Sequence, residues 1–119
     1  MKILIVDDSA FMRTILKDLV KKAYPDAEIL EAGDGNQAIA EYRSKRPELL
    51  LLDLIMPEKD GMEVLKEIGR ESGKKIVVVS SVGQETMIEE ARKLGADAYV
   101  VKPFDEKELT STIQDVIKA

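Results

Sequence analysis

The chain has 119 residues, 45% of them hydrophobic, which suits one domain with its own core and is too apolar for a disordered chain. It carries 18 basic and 23 acidic residues for a net charge of −5, which argues against a nucleic-acid or anionic-membrane surface. With no Cys and no His it excludes disulfides, thiolate and imidazole metal sites, Cys nucleophiles and Ser-His-Asp triads, and it cannot itself carry a phosphohistidine.

No apolar run approaches the ~18 residues of a membrane span. The opening Met1–Val6 run is too short for a signal-peptide core and lacks a small-residue cleavage site, so a cytoplasmic protein is expected. Lys2 to Val6 predicts a first strand that ends at Asp7-Asp8. Asp8 or Ser9 can cap a helix from Ala10 to Ala23, where Met12, Ile15, Leu16, Leu19 and Val20 recur at helical spacing. Tyr24-Pro25-Asp26 breaks that helix. Glu28 to Ala32 predicts a weaker second strand, and Gly33-Asp34-Gly35 a turn. Asp34 with Gln37 resembles a capping box for a helix to about Arg46, which Pro47 ends.

Leu49 to Asp53 follows, four leucines closing on a carboxylate. A run this short, bounded by Pro57 and Asp60-Gly61, predicts a strand buried on both faces. An ionised carboxylate there needs partners, so Asp53 poses the question the rest of the chain must answer. Asp60 and Glu63 have capping-box spacing before a helix carrying Val64, Leu65 and Ile68, expected to stop near Ser72-Gly73. Ile76 to Ser80 predicts the fourth strand. Ser81 stands three before Gln84 and can cap the next helix, marked by Met87, Ile88, Ala91 and Leu94 and ended by Gly95. Ala98 to Val101 predicts the fifth strand, followed by Lys102-Pro103. Asp105 and Glu108 form a third box, and Leu109, Ile113, Val116 and Ile117 carry the last helix to the C-terminus.

Strands that alternate with helices over short connections predict an α/β, doubly wound fold: right-handed βαβ units and a parallel sheet with helices on both faces. No linker or composition shift divides residues 1–119, so one domain without an output domain is expected. In such a sheet, ligands bind outside the carboxyl ends of the strands. Those ends deliver Asp7 and Asp8, Asp53, Ser80 and Ser81, and Lys102, while the second strand delivers only Ala32 and Gly33. Three carboxylates against one ammonium leave an excess of negative charge that a divalent cation would neutralise, and oxygen donors with few protein ligands favour Mg²⁺. An anionic phosphoryl group can then approach, with Ser80 as donor and Lys102 as point charge. Asp53 is the carboxylate placed to attack phosphorus and form an acyl phosphate. Taken singly, Asp7-Asp8 reads as helix-capping acid, Ser80 as filler and Lys102 as a solvated surface lysine; the chemistry lies in their convergence.

These residues resemble a response-regulator receiver domain over the full chain. The resemblance is carried by Asp7-Asp8, by Asp53 with Met56-Pro57 and Asp60-Gly61, by Ser80, by Gly95-Ala96, and by Lys102-Pro103-Phe104. Asp7 to Arg13 and Val82 to Glu85 look most like single-domain chemotaxis regulators. It implies a flavodoxin-like (βα)5 fold with strand order 2-1-3-4-5, an order and site location known from chemotaxis regulators themselves. It implies Asp53 as phosphoacceptor, and Mg²⁺ held by Asp8, Asp53 and the backbone carbonyl of Ile55, with Asp7 acting partly through water. Ser80 and the amide of Ser81 would hold the phosphoryl group, Lys102 would pair with it, and the Lys102-Pro103 bond would be cis. Tyr99 matches an aromatic position whose ring turns inward on activation. In the resting state Ser80 and Tyr99 would point away from the site.

It implies further a signal transducer rather than an enzyme, with slow autodephosphorylation and no turnover substrate. The donor would be a histidine kinase. The output would be protein contact through the fourth helix (Glu85 to Leu94), fifth strand and fifth helix (Glu106 to Ile117), in chemotaxis with the flagellar motor switch. A phosphatase partner fits the same scheme, and a monomer without nucleic-acid or membrane contacts is expected. Ile55 and Val82 depart from the best-known chemotaxis regulators by being apolar where polar residues help to orient attacking water, so slower self-dephosphorylation is expected. A receiver from another pathway or phosphorelay is the alternative within the family. A haloacid-dehalogenase-type phosphatase needs an acid where Ile55 stands and a cap domain for which there is no room. A flavodoxin needs a Ser/Thr/Gly-rich loop after the first strand, and aromatics here are only 4%.

Overall fold

The four leucines of the third strand divide between two cores, and that division sets out the molecule. Leu50 and Leu52 pack on one face of the sheet and Leu49 and Leu51 on the other, as the period-two alternation of a strand requires. All four are fully buried, so helices must cover both faces. In the computed structural model, which describes residues 1–119, the elements are β1 (Lys2–Val6), α1 (Ala10–Ala23), β2 (Glu28–Ala32), α2 (Gly35–Lys45), β3 (Leu49–Leu52), α3 (Gly61–Ile68), β4 (Lys75–Ser80), α4 (Glu85–Lys93), β5 (Ala98–Val101) and α5 (Glu106–Lys118). All pairings are parallel, in the order β2-β1-β3-β4-β5. The expected doubly wound fold and strand order are therefore what the chain adopts.

Helices α1 and α5 cover one face through Leu16, Val20, Leu109, Ile113 and Val116. Helices α2, α3 and α4 cover the other through Ala38, Tyr42, Val64, Leu65, Ile68 and Ala91. No helix is long and apolar enough to cross a membrane.

Several local expectations change. Helix α3 ends at Ile68, not near Ser72-Gly73. Its end meets the turn that closes α4: a Cβ on Gly95 would sit 2.1 Å from the Gly69 carbonyl oxygen, and Gly95 has φ +116. The two glycine backbones touch, and α3 has no space to continue. Of the three capping boxes only Asp60/Glu63 is reciprocal. Asp34 caps α2, but the Gln37 side chain accepts from Gly33 N–H, one residue earlier than a box requires. Asp105 caps α5 by accepting from Glu108 N–H. Ser9 rather than Asp8 caps α1, and Ser81 does not cap α4, whose N-cap is Gln84 with no side-chain hydrogen bond. Asp53 lies just past the last residue of β3. The Lys102-Pro103 bond is cis, as expected.

Candidate functional site

Alternation carried past the strand ends decides which side chains can meet. Ile3 and Ile5, Leu49 and Leu51, and Ala98 and Val100 all face the α1/α5 side. The same parity, one step on, takes Asp7, Asp53 and Lys102 to that side. Ser80 and Tyr99 have the opposite parity, that of Ile76 and Val78, and Tyr99 packs against the α2/α3/α4 core. Two groups of residues thus form at one sheet edge, one per face.

Hydrogen bonds of the sheet continue one residue beyond the strands and hold the backbones still. Asp7 N–H donates to the Ala32 carbonyl at 3.1 Å, Asp53 N–H to Val6 at 2.9 Å and Lys102 N–H to Ser80 at 2.9 Å. Because Val6 pairs with Leu52, Asp7 stands beside Asp53. Gly61 lets α3 start hard against this point, since a Cβ there would lie 2.2 Å from the Asp53 carbonyl oxygen.

Lys102 Nζ bridges the two buried acids, 2.7 Å from Asp7 Oδ2 and 3.1 Å from Asp53 Oδ2. Asp7 is 2% and Asp53 6% exposed. Their other oxygens are engaged locally: Asp7 Oδ1 accepts from Ser9 N–H at 2.9 Å and Asp53 Oδ1 from Ile55 N–H at 3.2 Å. Asp8 differs, because it is exposed and its carboxylate joins none of these bonds. Burial alone would lower the Lys102 pKa, but the hydrogen bond to Asp7 and the charge of Asp53 outweigh it, and the pKa rises above the ordinary lysine value. Lys102 is a fixed cation.

One carboxylate oxygen from each of Asp7, Asp8 and Asp53 lies within 4.8 Å of the others. Three carboxylates against one ammonium leave two uncompensated negative charges. The donors are hard oxygens, and the acid with no other partner faces water. A divalent hard cation of the Mg²⁺ kind fits that set.

On the other face, Ser80 is wholly buried and its Oγ accepts from Val82 N–H at 3.3 Å. The Tyr99 hydroxyl donates to the Val82 carbonyl. Its ring is half-buried and packs against the α2/α3/α4 core. Burial raises the Tyr99 pKa, the Ser80 hydroxyl beside it pulls the other way, and the Asp53 charge adds to the rise, so the phenol stays protonated. Ser81 is exposed. Ile55 is 58% exposed beside Asp53.

All expected side chains therefore lie at one edge, in two groups. Sequence reasoning left Arg13 as mere motif, yet its guanidinium donates to the Asp7 backbone carbonyl at 2.6 Å. No local pattern announces this contact, which spans α1, β1 and β2. The surface hollows lie elsewhere, at the amino-terminal end of the sheet; the largest, about 530 Å³, is lined by residues such as Lys2, Glu28, Lys45 and Glu48.

A family profile described as "Response regulator receiver domain" matches residues 3–114. The chain is 40% identical over 119 residues to the chemotaxis protein CheY of Thermotoga maritima, covering 98% of each. It is 37% identical over 119 residues to the CheY of Halobacterium salinarum, covering 99% of this chain and 98% of that one. Among solved structures it is similar to the CheX-CheY-BeF3-Mg²⁺ complex from Borrelia burgdorferi, with TM-score 0.91, 25% identity, and coverage of 98% of this chain and 89% of that one.

Proposed function

The chain belongs to the response regulator receiver domain family of two-component signalling, and from that premise we propose that it is switched by phosphorylation of Asp53 by a histidine kinase and signals by protein contact, in chemotaxis. The observation that carries this reading is the bridge from Lys102 to Asp7 and Asp53 beside the unpartnered Asp8. Receiver domains bind Mg²⁺ at an acidic pocket, and here Asp8, Asp53 and the Ile55 carbonyl would hold the ion, with Asp7 through water. Bound there, Mg²⁺ supplies positive charge against carboxylate and phosphoryl oxygens.

An Asp53 oxygen attacks phosphorus of the kinase phosphohistidine; the P–O bond forms as the P–N bond breaks, and the imidazole leaves with the bonding pair. The Asp53 backbone, held by Val6, keeps the attacking oxygen in place. Lys102 follows the charge from the acids onto the phosphoryl oxygens, and Ser80 Oγ with the Ser81 amide donates to them. Moving Ser80 toward the phosphoryl group alters its bond to Val82, which also holds Tyr99, so the site on one face reads out on the other. Phosphorylation then shifts a population of conformers rather than making a new fold. The output surface is α4, β5 and α5. Resemblance to CheY proteins along nearly the whole chain supports chemotaxis over other receiver pathways.

Beryllofluoride with Mg²⁺ mimics the phosphorylated state. Adding both should perturb amide resonances at Ser80–Gly83, Tyr99 and along α4, and retain motor-switch proteins on the immobilised chain. Perturbation confined to Asp7, Asp8 and Asp53, with no partner retained, contradicts the output half of this reading.

A further inference from the structure

Asp8 is the one acid of the site whose carboxylate no hydrogen bond orients, so its direction must come from its backbone. That backbone is held on both sides. Ser9 N–H, after Asp8, donates to Asp7 Oδ1 at 2.9 Å. The Asp7 carbonyl, before it, accepts from Arg13 Nη1 at 2.6 Å. The Asp7 carbonyl belongs to the peptide unit that leads into Asp8, so fixing that oxygen fixes the plane from which Asp8 departs. Arg13 is itself held: its Nε donates to Glu31 Oε1 at 3.0 Å. Nη1 also lies 3.4 Å from where a Cβ on Gly33 would stand, so the guanidinium lies along the edge of β2. Its side chain is only 20% exposed. Lys17 completes the group, 3.9 Å from the other Glu31 oxygen.

We propose that Arg13, anchored by Glu31, is a positioning residue for the cation site: it sets the Asp7–Asp8 peptide so that the Asp8 carboxylate faces Asp53. The inference rests on the proposed Mg²⁺-dependent function and adds to it a residue that touches neither the ion nor the phosphoryl group. Glu31 neutralises the guanidinium, so Arg13 acts by geometry more than by charge. Lysine cannot reproduce this role, because one ammonium replaces a planar fork that reaches Glu31 and the Asp7 carbonyl together.

Calorimetric titration of Mg²⁺ into the full chain tests it, with Arg13→Ala, Arg13→Lys and Lys17→Ala compared with wild type. Loss of a partner behind a metal ligand typically weakens affinity about 10- to 100-fold. That loss is expected for Arg13→Ala, with only partial recovery in Arg13→Lys and no change in Lys17→Ala. In the metal-free chain, the carbonyl carbon resonance of Asp7 should shift in both Arg13 variants and stay put in Lys17→Ala. If Arg13→Ala does not fold, Arg13→Lys carries the test by the same two readouts. Mg²⁺ affinity within twofold of wild type in Arg13→Ala, or full recovery in Arg13→Lys, overturns the proposal. A wild-type chain that binds no Mg²⁺ overturns the functional reading and this inference with it, which distinguishes the two failures.

Discussion

Asp7 and Asp53 are buried acids that share one lysine, and the behaviour of the site follows from that sharing. Replacing Lys102 by Met leaves two adjacent buried carboxylates without their cation. The loss should be about 3 kcal/mol, at the low end for breaking a buried pair because the Lys102 side chain is itself 17% exposed. The pH dependence has a definite sign. The Lys102 pKa is raised in the folded chain, so its contribution is complete below the unfolded lysine value of ~10.4 and is lost as pH climbs through the folded value. Thermal stability of wild type should therefore fall more steeply above about pH 10 than that of Lys102→Met. Ile55 bears on a different property, the proposed lifetime of the acyl phosphate. It is apolar and exposed beside Asp53, and Val82, two past Ser80, is apolar too. Ile55→Asn with Val82→Glu should speed loss of the acyl phosphate by about tenfold, less than the ~100-fold of full general-base help. Unchanged decay, followed by phosphate release, would show that these positions do not set the lifetime. The acids, Ser80 and Lys102 were legible in the sequence because each ends an apolar run. Arg13 was not, because its contact depends on how α1 sits over β2, which no local pattern encodes.

At the level of elements, caps separate expectation from outcome. Asp60 and Glu63 cap α3 reciprocally, and a Cβ on Gly61 would meet the Asp53 carbonyl, so this N-terminus is fixed against the site. Asp60→Ala should cost about 1 kcal/mol in urea denaturation. Ser81→Ala should change stability by less than about 0.5 kcal/mol, because Ser81 caps nothing and is exposed. A larger loss from Ser81→Ala would mean that Ser81 does cap α4. Helix α4 buries only Ala91 and has no side-chain cap, so it is among the more weakly anchored elements of the fold. The spacing of Ser81 and Gln84 was a false signal: α4 starts later than the box predicts, and Gln84 itself takes the N-cap position. The early end of α3 was likewise hidden, since it is set by contact between Gly69 and Gly95, 26 positions apart in sequence.

For the whole molecule, alternation of runs was enough to give five parallel strands and their helices, because each strand is apolar on both faces and each helix on one. Strand order came from the resemblance, since periodicity does not say which strands are neighbours. The two faces then divide the work: the acids and Lys102 lie toward α1 and α5, and Ser80 and Tyr99 toward α2, α3 and α4. The Tyr99 hydroxyl donates to the Val82 carbonyl, which ties β5 to the loop that follows Ser80. The central claim is that this edge accepts a phosphoryl group on Asp53, and intact-mass measurement after incubation with acetyl phosphate and Mg²⁺ tests it most directly. Wild type should gain one phosphoryl group, removal of Mg²⁺ by chelation should prevent the gain, and Asp53→Asn should gain none. Stoichiometric, persistent labelling of Asp53→Asn would contradict the account.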